Sequence, residues 1–264
     1  MRDLVSDMSE RFKICSLYSG SSGNSLYVES REARILIDAG KSARALRLAL
    51  DEIGVSIESI DAIFITHEHI DHTSALSTVS KKYGIPIHAT DGCAMELSAR
   101  SESVRPFIIS HPPVYEVTVG DLTVSSFLIS HDAACPVGYK FTAEGFEAAG
   151  VMTDTGIVTN SAAAALCGCR DIVLESNHDR QMLADGPYPY SLKERVGSRF
   201  GHLSNELSAR FSAYLAENGA KSFLLAHLSG ENNTPKIALA AHEPTADRGC
   251  SVRVASPCAP TFLE

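Results

Sequence analysis

Four side chains of types that commonly bind metal ions lie within six residues of one another, at His67, His69, Asp71 and His72. Imidazole nitrogens and carboxylate oxygens are ligands that Zn, Fe and Mn accept, and a set without thiolate is typical of a catalytic ion. Clustered histidines are otherwise costly, because neighbouring imidazoles compete for the same protons. The alternative explanation is a polar junction between a strand and a helix, with Asp71 as the helix cap. The spacing and the preceding strand favour the metal site.

An apolar run over residues 61–65 comes directly before this cluster and predicts a buried strand. Alternation along an extended backbone would send His67, His69 and Asp71 to one side, and the turn into the next helix would bring His72 beside Asp71. One metal ion could then take the two histidines, and a second ion could take Asp71 and His72.

Strand and helix patterns alternate along the rest of the chain. Helical periodicity and end signals predict helices over residues 42–53, 73–83, 92–100, 160–167, 204–218 and 234–242, and two further helical patterns flank a looser segment at 186–190. Short apolar or alternating runs predict strands over residues 12–17, 25–29, 34–40, 61–65, 85–89, 114–119, 122–129, 136–142, 148–153, 171–175, 221–227 and 251–255. This alternation indicates an α/β protein.

Polar residues recur where the predicted strands end. The residues at these carboxyl ends are Asp38, His67, His131, Asp154, Glu175 and His227. Strands whose carboxyl ends meet at one edge of a sheet commonly form a site there. The pattern therefore predicts one site built from residues far apart in sequence.

Length and composition are those of an ordinary globular enzyme. The chain has 264 residues, 44% of them hydrophobic and 21% charged, and we expect one domain over residues 1–264. Residues 1–7 are too polar for a signal peptide, and seven scattered cysteines indicate reduced thiols, so we expect a cytoplasmic protein without membrane spans. The net charge of −9 argues against a broad electrostatic contact with nucleic acid, although bound cations would add local positive charge.

A loop rich in small residues, at 18–24, separates the first two predicted strands. Such a loop lets backbone N–H groups approach a ligand closely. A plain hairpin connection explains the same residues, and by itself it is the better explanation.

The motifs together resemble those of the metallo-β-lactamase superfamily over nearly the whole chain. The stretches that carry the resemblance are residues 19–25, 36–40, 66–72, 130–133, 136–139, 153–156 and 174–179. Within the superfamily the chain is most similar to the YycJ/WalJ (VicX) group, through residues 174–179, 186–190, 201–205 and 225–235. The resemblance implies a four-layer αββα sandwich with a centre for two metal ions on the rim between the sheets.

By this resemblance, the metal ligands fall into two sets joined by one bridging residue. The first ion would be held by His67, His69 and His131, the second by Asp71, His72 and His227, with Asp154 bridging. Asp38 would fix the ligand loop through hydrogen bonds. The ions would be Zn or Mn, or Fe, since all three accept such ligands.

A further set of residues is expected to act on the substrate. Glu175 and His202 correspond to a Glu and a His that assist phosphodiester cleavage in tRNase Z-like relatives. The alternative for His202 is the cap region of the helix that follows. The side chains expected to contact substrate are Ser21, Ser22, Asn24, His178 and Asn232.

The expected activity is that of a metal-dependent phosphodiesterase or nuclease, similar to a DNA exonuclease. A hydroxide bridging two metal ions, oriented by Asp71 and Asp154, would attack phosphorus while His202 assists the leaving group. Hydrolysis of a small ester, thioester or lactam is a second hypothesis, which the acidic charge favours. A regulatory protein without turnover is a third, and the full ligand set counts against it. Nucleic acid, DNA in particular, is the expected substrate.

Overall fold

The computed structural model describes residues 10–264, in which strands and helices alternate to build two sheets of seven strands. The strands are β1 Lys13–Tyr18, β2 Ser25–Glu29, β3 Arg34–Ile37, β4 Ala62–Phe64, β5 Ile87–Thr90, β6 Ile108–His111, β7 Glu116–Val119, β8 Leu122–Leu128, β9 Val137–Thr142, β10 Ala149–Met152, β11 Asp171–Glu175, β12 Ser222–Ala226, β13 Ser251–Val254 and β14 Thr261–Phe262. The prediction about a signal peptide at residues 1–7 lies outside the described residues.

Helices connect most of the parallel strands. They are α1 Ala43–Glu52, α2 Ile70–Thr73, α3 Leu76–Tyr83, α4 Asp91–Arg100, α5 Asn160–Leu166, α6 Arg180–Asp185, α7 Tyr190–Val196, α8 Asn205–Glu217, α9 Pro235–Ala241 and α10 Glu243–Ala246, with short 3-10 helices at Ile57–Ser59 and Arg105–Phe107. The hydroxyl of Ser204 accepts a hydrogen bond from the backbone N–H of Leu207 and so caps α8, the helix that follows the predicted site residue His202.

Each sheet is antiparallel at one side and parallel at the other. The first sheet has the order β14-β1-β2-β3-β4-β5-β6 and is parallel from β3 to β6. The second has the order β13-β12-β11-β10-β9-β8-β7 and is parallel from β10 to β13. The parallel part of each sheet therefore sends several carboxyl ends to one edge, where a site can form.

Three apolar layers separate four layers of structure. The first layer packs α1, α3 and α4 on the outer face of the first sheet, and the third packs α5 and α8 on the outer face of the second sheet. The middle layer lies between the sheets and holds Ile35, Phe64 and Tyr139. On β3, Leu36 faces the helices while Ile35 faces the other sheet, as the period of two requires. The architecture is the expected αββα sandwich.

The element predictions differ from the structure mainly at short or strained segments. The helix predicted over residues 73–83 begins earlier, as α2, and breaks before α3. The strands β6 and β14 and the helix α10 were not predicted. β14 has two residues and depends on pairing with the distant strand β1, so local periodicity carries little signal for it.

Among the described residues, no helix has the length and apolar character that crossing a membrane requires. Each of the seven cysteines, all of which lie in the described residues, is a free thiol.

Candidate metal centre

The predicted strand-end residues meet at one rim of the sandwich. Asp38 follows β3, Asp154 lies two residues after β10, Glu175 ends β11 and His227 follows β12. His131 lies in the loop between β8 and β9. Distances below 4 Å join several of these side chains, so the two sheets contribute to a single site.

The His-rich motif is not oriented by strand alternation, which corrects the sequence-based explanation. β4 ends at Phe64, so His67 and His69 lie in the loop that follows it. Asp71 and His72 lie in α2, which starts at Ile70. The loop and the helical turn, rather than an extended backbone, therefore bring these four side chains together.

Three of the site residues have a left-handed backbone, with φ of 63° at Asp38, 57° at Asp154 and 57° at His227. Side chains rarely adopt this conformation, although Asp and His tolerate it better than most. Each of the three turns the chain sharply after a strand and directs a polar side chain into the rim. Such strain commonly accompanies functional sites.

The first ligand cluster contains His67, His69 and His131, whose ligand atoms lie within 4.8 Å of one another. The ring centroids are 4.5 Å apart for His67 and His69 and 5.0 Å apart for His67 and His131. His67 and His131 are buried. This is the set that the resemblance assigns to the first ion.

The second ligand cluster contains Asp71, His72 and His227, again within 4.8 Å of one another. Nε2 of His72 lies 3.4 Å from Oδ2 of Asp71, and Nε2 of His227 lies 3.9 Å from the same oxygen. Asp154 lies between the clusters, because its Oδ2 is 3.4 Å from His72 Nε2 and it groups with His67 as well. The predicted bridging residue thus has a central position.

Four of the histidines use the same ring nitrogen to contact the protein. Nδ1 of His72 lies 2.7 Å from Asp38 Oδ2, and Nδ1 of His227 lies 3.0 Å from Glu175 Oε1. Nδ1 of His131 lies 3.1 Å from the carbonyl oxygen of Gly201, and Nδ1 of His67 lies 3.0 Å from the Thr66 hydroxyl. If Nδ1–H donates in each contact, Nε2 carries a free lone pair, which is the arrangement a metal ligand needs.

Several buried polar atoms of the site have no hydrogen-bond partner among the described residues. They include Nε2 of His67, Nε2 of His227 and Oδ2 of Asp154. Buried polar atoms are normally paired, so unpaired atoms that converge from three elements are arranged to bind a ligand. The donor set of imidazole and carboxylate fits divalent transition metals.

Electrostatics favour a cation at the same place. Burial alone would lower the pKa of His227, but Asp154, Asp71 and Glu175 raise it to about 10. The pKa of His72 is also raised against the effect of burial, by Asp154 and Asp38. In contrast, burial and the neighbouring imidazoles hold the pKa of His67 well below its ordinary value. The second cluster therefore attracts positive charge, as protons or as a metal ion.

Asp38 and Glu175 lie behind the histidines and are buried. Asp38 accepts hydrogen bonds from the backbone N–H and the hydroxyl of Thr66, both at 2.8 Å, as well as contacting His72. Oε1 of Glu175 contacts Nδ1 of both His202, at 2.8 Å, and His227, while Oε2 accepts from backbone N–H groups. The sequence interpretation placed Glu175 with the catalytic residues; its carboxylate is fully buried, contacts these two rings and has an oxygen within 4.8 Å of a ligand atom of Asp154, and its catalytic role stays a prediction.

Asn24 is the one predicted substrate contact that touches the ligand clusters. Its Nδ2 lies 3.2 Å from Asp71 Oδ2 and 3.0 Å from His72 Nε2, and it donates to the carbonyl oxygen of Gly20. A metal ion would compete with this amide for the lone pair of His72. The Gly-rich loop therefore contacts the centre through a side chain rather than through its backbone alone.

The other predicted substrate contacts lie further away. Asn232 is fully buried, its side-chain amide contacts the Ser229 hydroxyl at 3.4 Å, and its role as a substrate contact stays a prediction. Ser21 and Ser22 are exposed on a separate cleft, and their roles stay predictions. His178 is buried beside the cleft that His202 also lines.

Sequence reasoning gave no role to Thr66 and Ser19, which hold the ligands in place. The Thr66 hydroxyl contacts both Asp38 and His67, and the Ser19 hydroxyl accepts from the backbone N–H of His227 at 2.7 Å. The sequence did contain a signal for Thr66, because its hydroxyl side chain directly precedes the first ligand, His67, where the predicted strand ends. The contact of Ser19 spans 208 residues and has no local signal.

Comparison with known proteins places these features in a family. A family model described as "Beta-lactamase superfamily domain" matches residues 33–228. The chain is 38% identical over 233 residues to Exodeoxyribonuclease WalJ of Streptococcus pneumoniae serotype 2. This match covers 86% of this chain and 85% of that protein. It is 39% identical over 225 residues to Exodeoxyribonuclease YycJ of Bacillus anthracis, and this match covers 84% of this chain and 84% of that protein.

Solved structures agree on the fold. The metallo-β-lactamase fold protein YhfI from Bacillus subtilis superposes with a TM-score of 0.71 at 17% identity, and the match covers 96% of this chain and 100% of YhfI. The chain therefore belongs to the metallo-β-lactamase superfamily, in which it is a YycJ-like member.

Proposed function

We propose that this chain is a metal-dependent phosphodiesterase that digests nucleic acid from an end, as an exonuclease of DNA. The observation that carries the proposal is the convergence of free imidazole Nε2 atoms and the Asp154 carboxylate at one rim. Two relatives that match over four fifths of the chain are named exodeoxyribonucleases, which supports this substrate class.

The proposed cofactors are two divalent ions, Zn or Mn, or Fe. His67, His69 and His131 would hold one, and the second cluster, Asp71, His72 and His227, would hold the other. Asp154 would contact both. Two bound ions would lower the pKa of a water molecule and neutralise charge on a phosphate. The donor set does not select among these metals, because all accept imidazole and carboxylate.

The chain's own residues would position the substrate and move protons. Asp71 is the more accessible of the two carboxylates in the clusters, since 22% of its side chain is exposed against 2% for Asp154. It would therefore accept a proton from an attacking water molecule. His202, with 20% of its side chain exposed, donates through Nδ1 to Glu175 and so presents Nε2 for a proton transfer to the leaving oxygen.

Glu175 would act as a positioning residue. One oxygen of its carboxylate contacts the rings of His202 and His227, which orients both. We further propose that residues 1–264 act as one domain, because both sheets contribute to the shared middle core. A cytoplasmic location fits the free thiols.

The decisive experiment is digestion of 5′- and 3′-labelled single- and double-stranded DNA and RNA, with Mn or Zn and with chelator. Stepwise shortening of DNA that chelator stops is the expected result. A parallel panel of thioesters, esters and lactams tests the alternative that the net charge of −9 favours. Turnover of a thioester without any digestion would overturn the proposal, and a metal-loaded but inert protein would favour a regulatory role.

Variants separate metal binding from proton transfer. Asp71→Ala or His69→Ala should abolish turnover while the fold is retained. His202→Ala should lower kcat by about 10²–10⁴-fold with metal content unchanged, which is the usual size of a lost general acid. Loss of metal in the His202→Ala variant would contradict this division, since it would make His202 a ligand.

A further inference from the structure

A cleft of about 530 Å³ opens directly beside the metal centre, between α6, α7 and the start of α8. We call it the α6–α7 cleft; its lining includes His178, Leu183, Tyr190, Lys193, His202 and Leu207. Its volume is within the range of about 300–1,000 Å³ that small-molecule pockets occupy. Because His202 lines both the cleft and the proposed centre, a ligand in the cleft would be continuous with the reacting phosphate.

The walls of the cleft suit a flat, partly apolar group. Leu183 and Leu207 supply aliphatic surface, and Tyr190 supplies an aromatic ring that is 75% exposed. The apolar face of an exposed tyrosine ring is in contact with water, which is unfavourable until a partner covers the ring. Aromatic side chains in such positions commonly stack on nucleobases.

The polar groups of the cleft suit a nucleotide. Arg180, Lys193 and Glu194 line the cleft, and Arg180 pairs with Glu206 at 2.7 Å, so the wall offers charged groups of both signs. His178 is only 2% exposed, and its Nδ1 has no partner among the described residues. Burial lowers the pKa of His178 to about 4, so at neutral pH its ring offers one donor and one acceptor. Such a ring can hydrogen-bond to the edge of a base.

The cleft is fixed relative to the metal centre rather than carried on an independent loop. A Cβ at Gly156, two residues after Asp154, would come within 2.2 Å of the carbonyl oxygen of Ser198. The hydroxyl of Ser130 donates to the carbonyl oxygen of Arg199 at 2.8 Å, next to His131. The segment after α7 therefore packs closely on the two ligand loops, and the distance from cleft to centre is set by backbone contacts.

We propose that the α6–α7 cleft binds the base of the nucleotide next to the cleaved phosphate, with the base stacked on Tyr190, an inference that rests on the proposed phosphodiesterase function. A cleft that takes one base beside the centre would favour cleavage near a strand end, where that base is free to leave the duplex stack.

The first test compares two chromogenic diesters, thymidine 5′-(p-nitrophenyl phosphate) and ethyl p-nitrophenyl phosphate, which lacks a base. Tyr190→Ala should raise KM for the thymidine diester by about five- to a hundredfold, the range that base–aromatic stacking gives. It should leave both constants for the ethyl diester unchanged. Tyr190→Phe keeps the ring and should match the wild type.

A matched surface control is Tyr214→Ala, because Tyr214 is 46% exposed on α8 and does not line the cleft. An equal effect of Tyr190→Ala on the two diesters, or no effect on either, would overturn the proposal. An equally large rise in KM for the thymidine diester in the Tyr214→Ala variant would overturn it as well.

The second test measures binding without turnover. The 5′- and 3′-monophosphates of 2-aminopurine deoxyriboside should lose fluorescence on binding to the wild type, because the base stacks, and should bind much more weakly to Tyr190→Ala. Absence of quenching with both monophosphates would refute the cleft assignment. This result is independent of nucleic-acid digestion, so failure of the cleft and failure of the proposed function are distinguishable.

Discussion

The substitution Asp38→Asn tests how the buried carboxylate controls the second cluster. Oδ1 of Asp38 accepts from the backbone N–H of Thr66, and Oδ2 faces the hydroxyl of Thr66 and Nδ1 of His72. Asparagine has the same shape and tolerates the left-handed backbone at this position. The backbone donor fixes its oxygen, so its amide nitrogen must face His72.

That exchange changes which nitrogen of His72 carries the proton. The new amide donates to Nδ1, which must then accept, so the proton of the neutral ring moves to Nε2. A protonated Nε2 has no lone pair for a metal ion. The Thr66 hydroxyl keeps a lone pair for Nδ1 of His67, so the first cluster, His67, His69 and His131, retains its arrangement. Loss of such a partner typically weakens metal binding about 10–100-fold, which is about 1.4–2.7 kcal/mol.

Metal content after dialysis and competition with a chromophoric chelator measure the effect. We expect two ions in the wild type and one tightly bound ion in Asp38→Asn. Asp61→Asn is the matched control, since Asp61 is exposed and its carboxylate accepts, among residues 10–264, only from the backbone N–H of Arg34 at 2.8 Å. Equal affinity for both ions in wild type and Asp38→Asn would refute the reasoning, provided that circular dichroism shows the same fold.

Two further predictions concern pH and packing. Because the pKa values of His72 and His227 are raised, the metal-free protein gains stability from these protons below the ordinary pKa of 6.5 and loses it as pH rises, toward about 10 for His227. Thermal unfolding of the chelated protein should therefore show a falling midpoint between pH 7 and 10, while metal affinity rises over the same range; a flat affinity profile would show that the imidazoles carry no protons. Gly40→Ala should destabilise the fold by about 1–3 kcal/mol and weaken metal binding, because its Cβ would lie 1.9 Å from the carbonyl oxygen of Asp71. Denaturant unfolding checks this against Gly230→Ala, whose Cβ meets no atom of the described part of the chain within 4 Å and which should change stability by less than about 0.5 kcal/mol; equal effects would show that the contact with Asp71 is irrelevant.

Local signals in the sequence predicted the alternation of strands and helices and the strand-end positions of the polar residues, whereas the αββα layering was expected from the resemblance to the superfamily. Short apolar runs mark strands, and a polar residue after such a run marks an edge. Asp154 and His227 are examples, because each follows a buried strand in the chain and in the structure.

The internal geometry of the centre could not be predicted in the same way. The choice of Nδ1 or Nε2 depends on partners such as Gly201, which lies 70 residues from His131. The enclosure of Glu175 depends on rings and backbone groups from three other segments. Alternation failed for His67 and His69 because β4 ends three residues before the first of them. Long-range contacts decide each of these features, and no periodic pattern encodes them.

The left-handed turns at Asp38, Asp154 and His227 set up a conflict between durability and activity. Glycine adopts this backbone region without steric cost, so replacing any of the three by glycine relieves local strain while deleting a side chain of the centre. A directed-evolution screen that selects only for heat resistance would therefore drift toward inactive proteins at these positions. Stabilising substitutions should therefore avoid these three turns, even though their backbone conformation suggests that glycine would be more stable there.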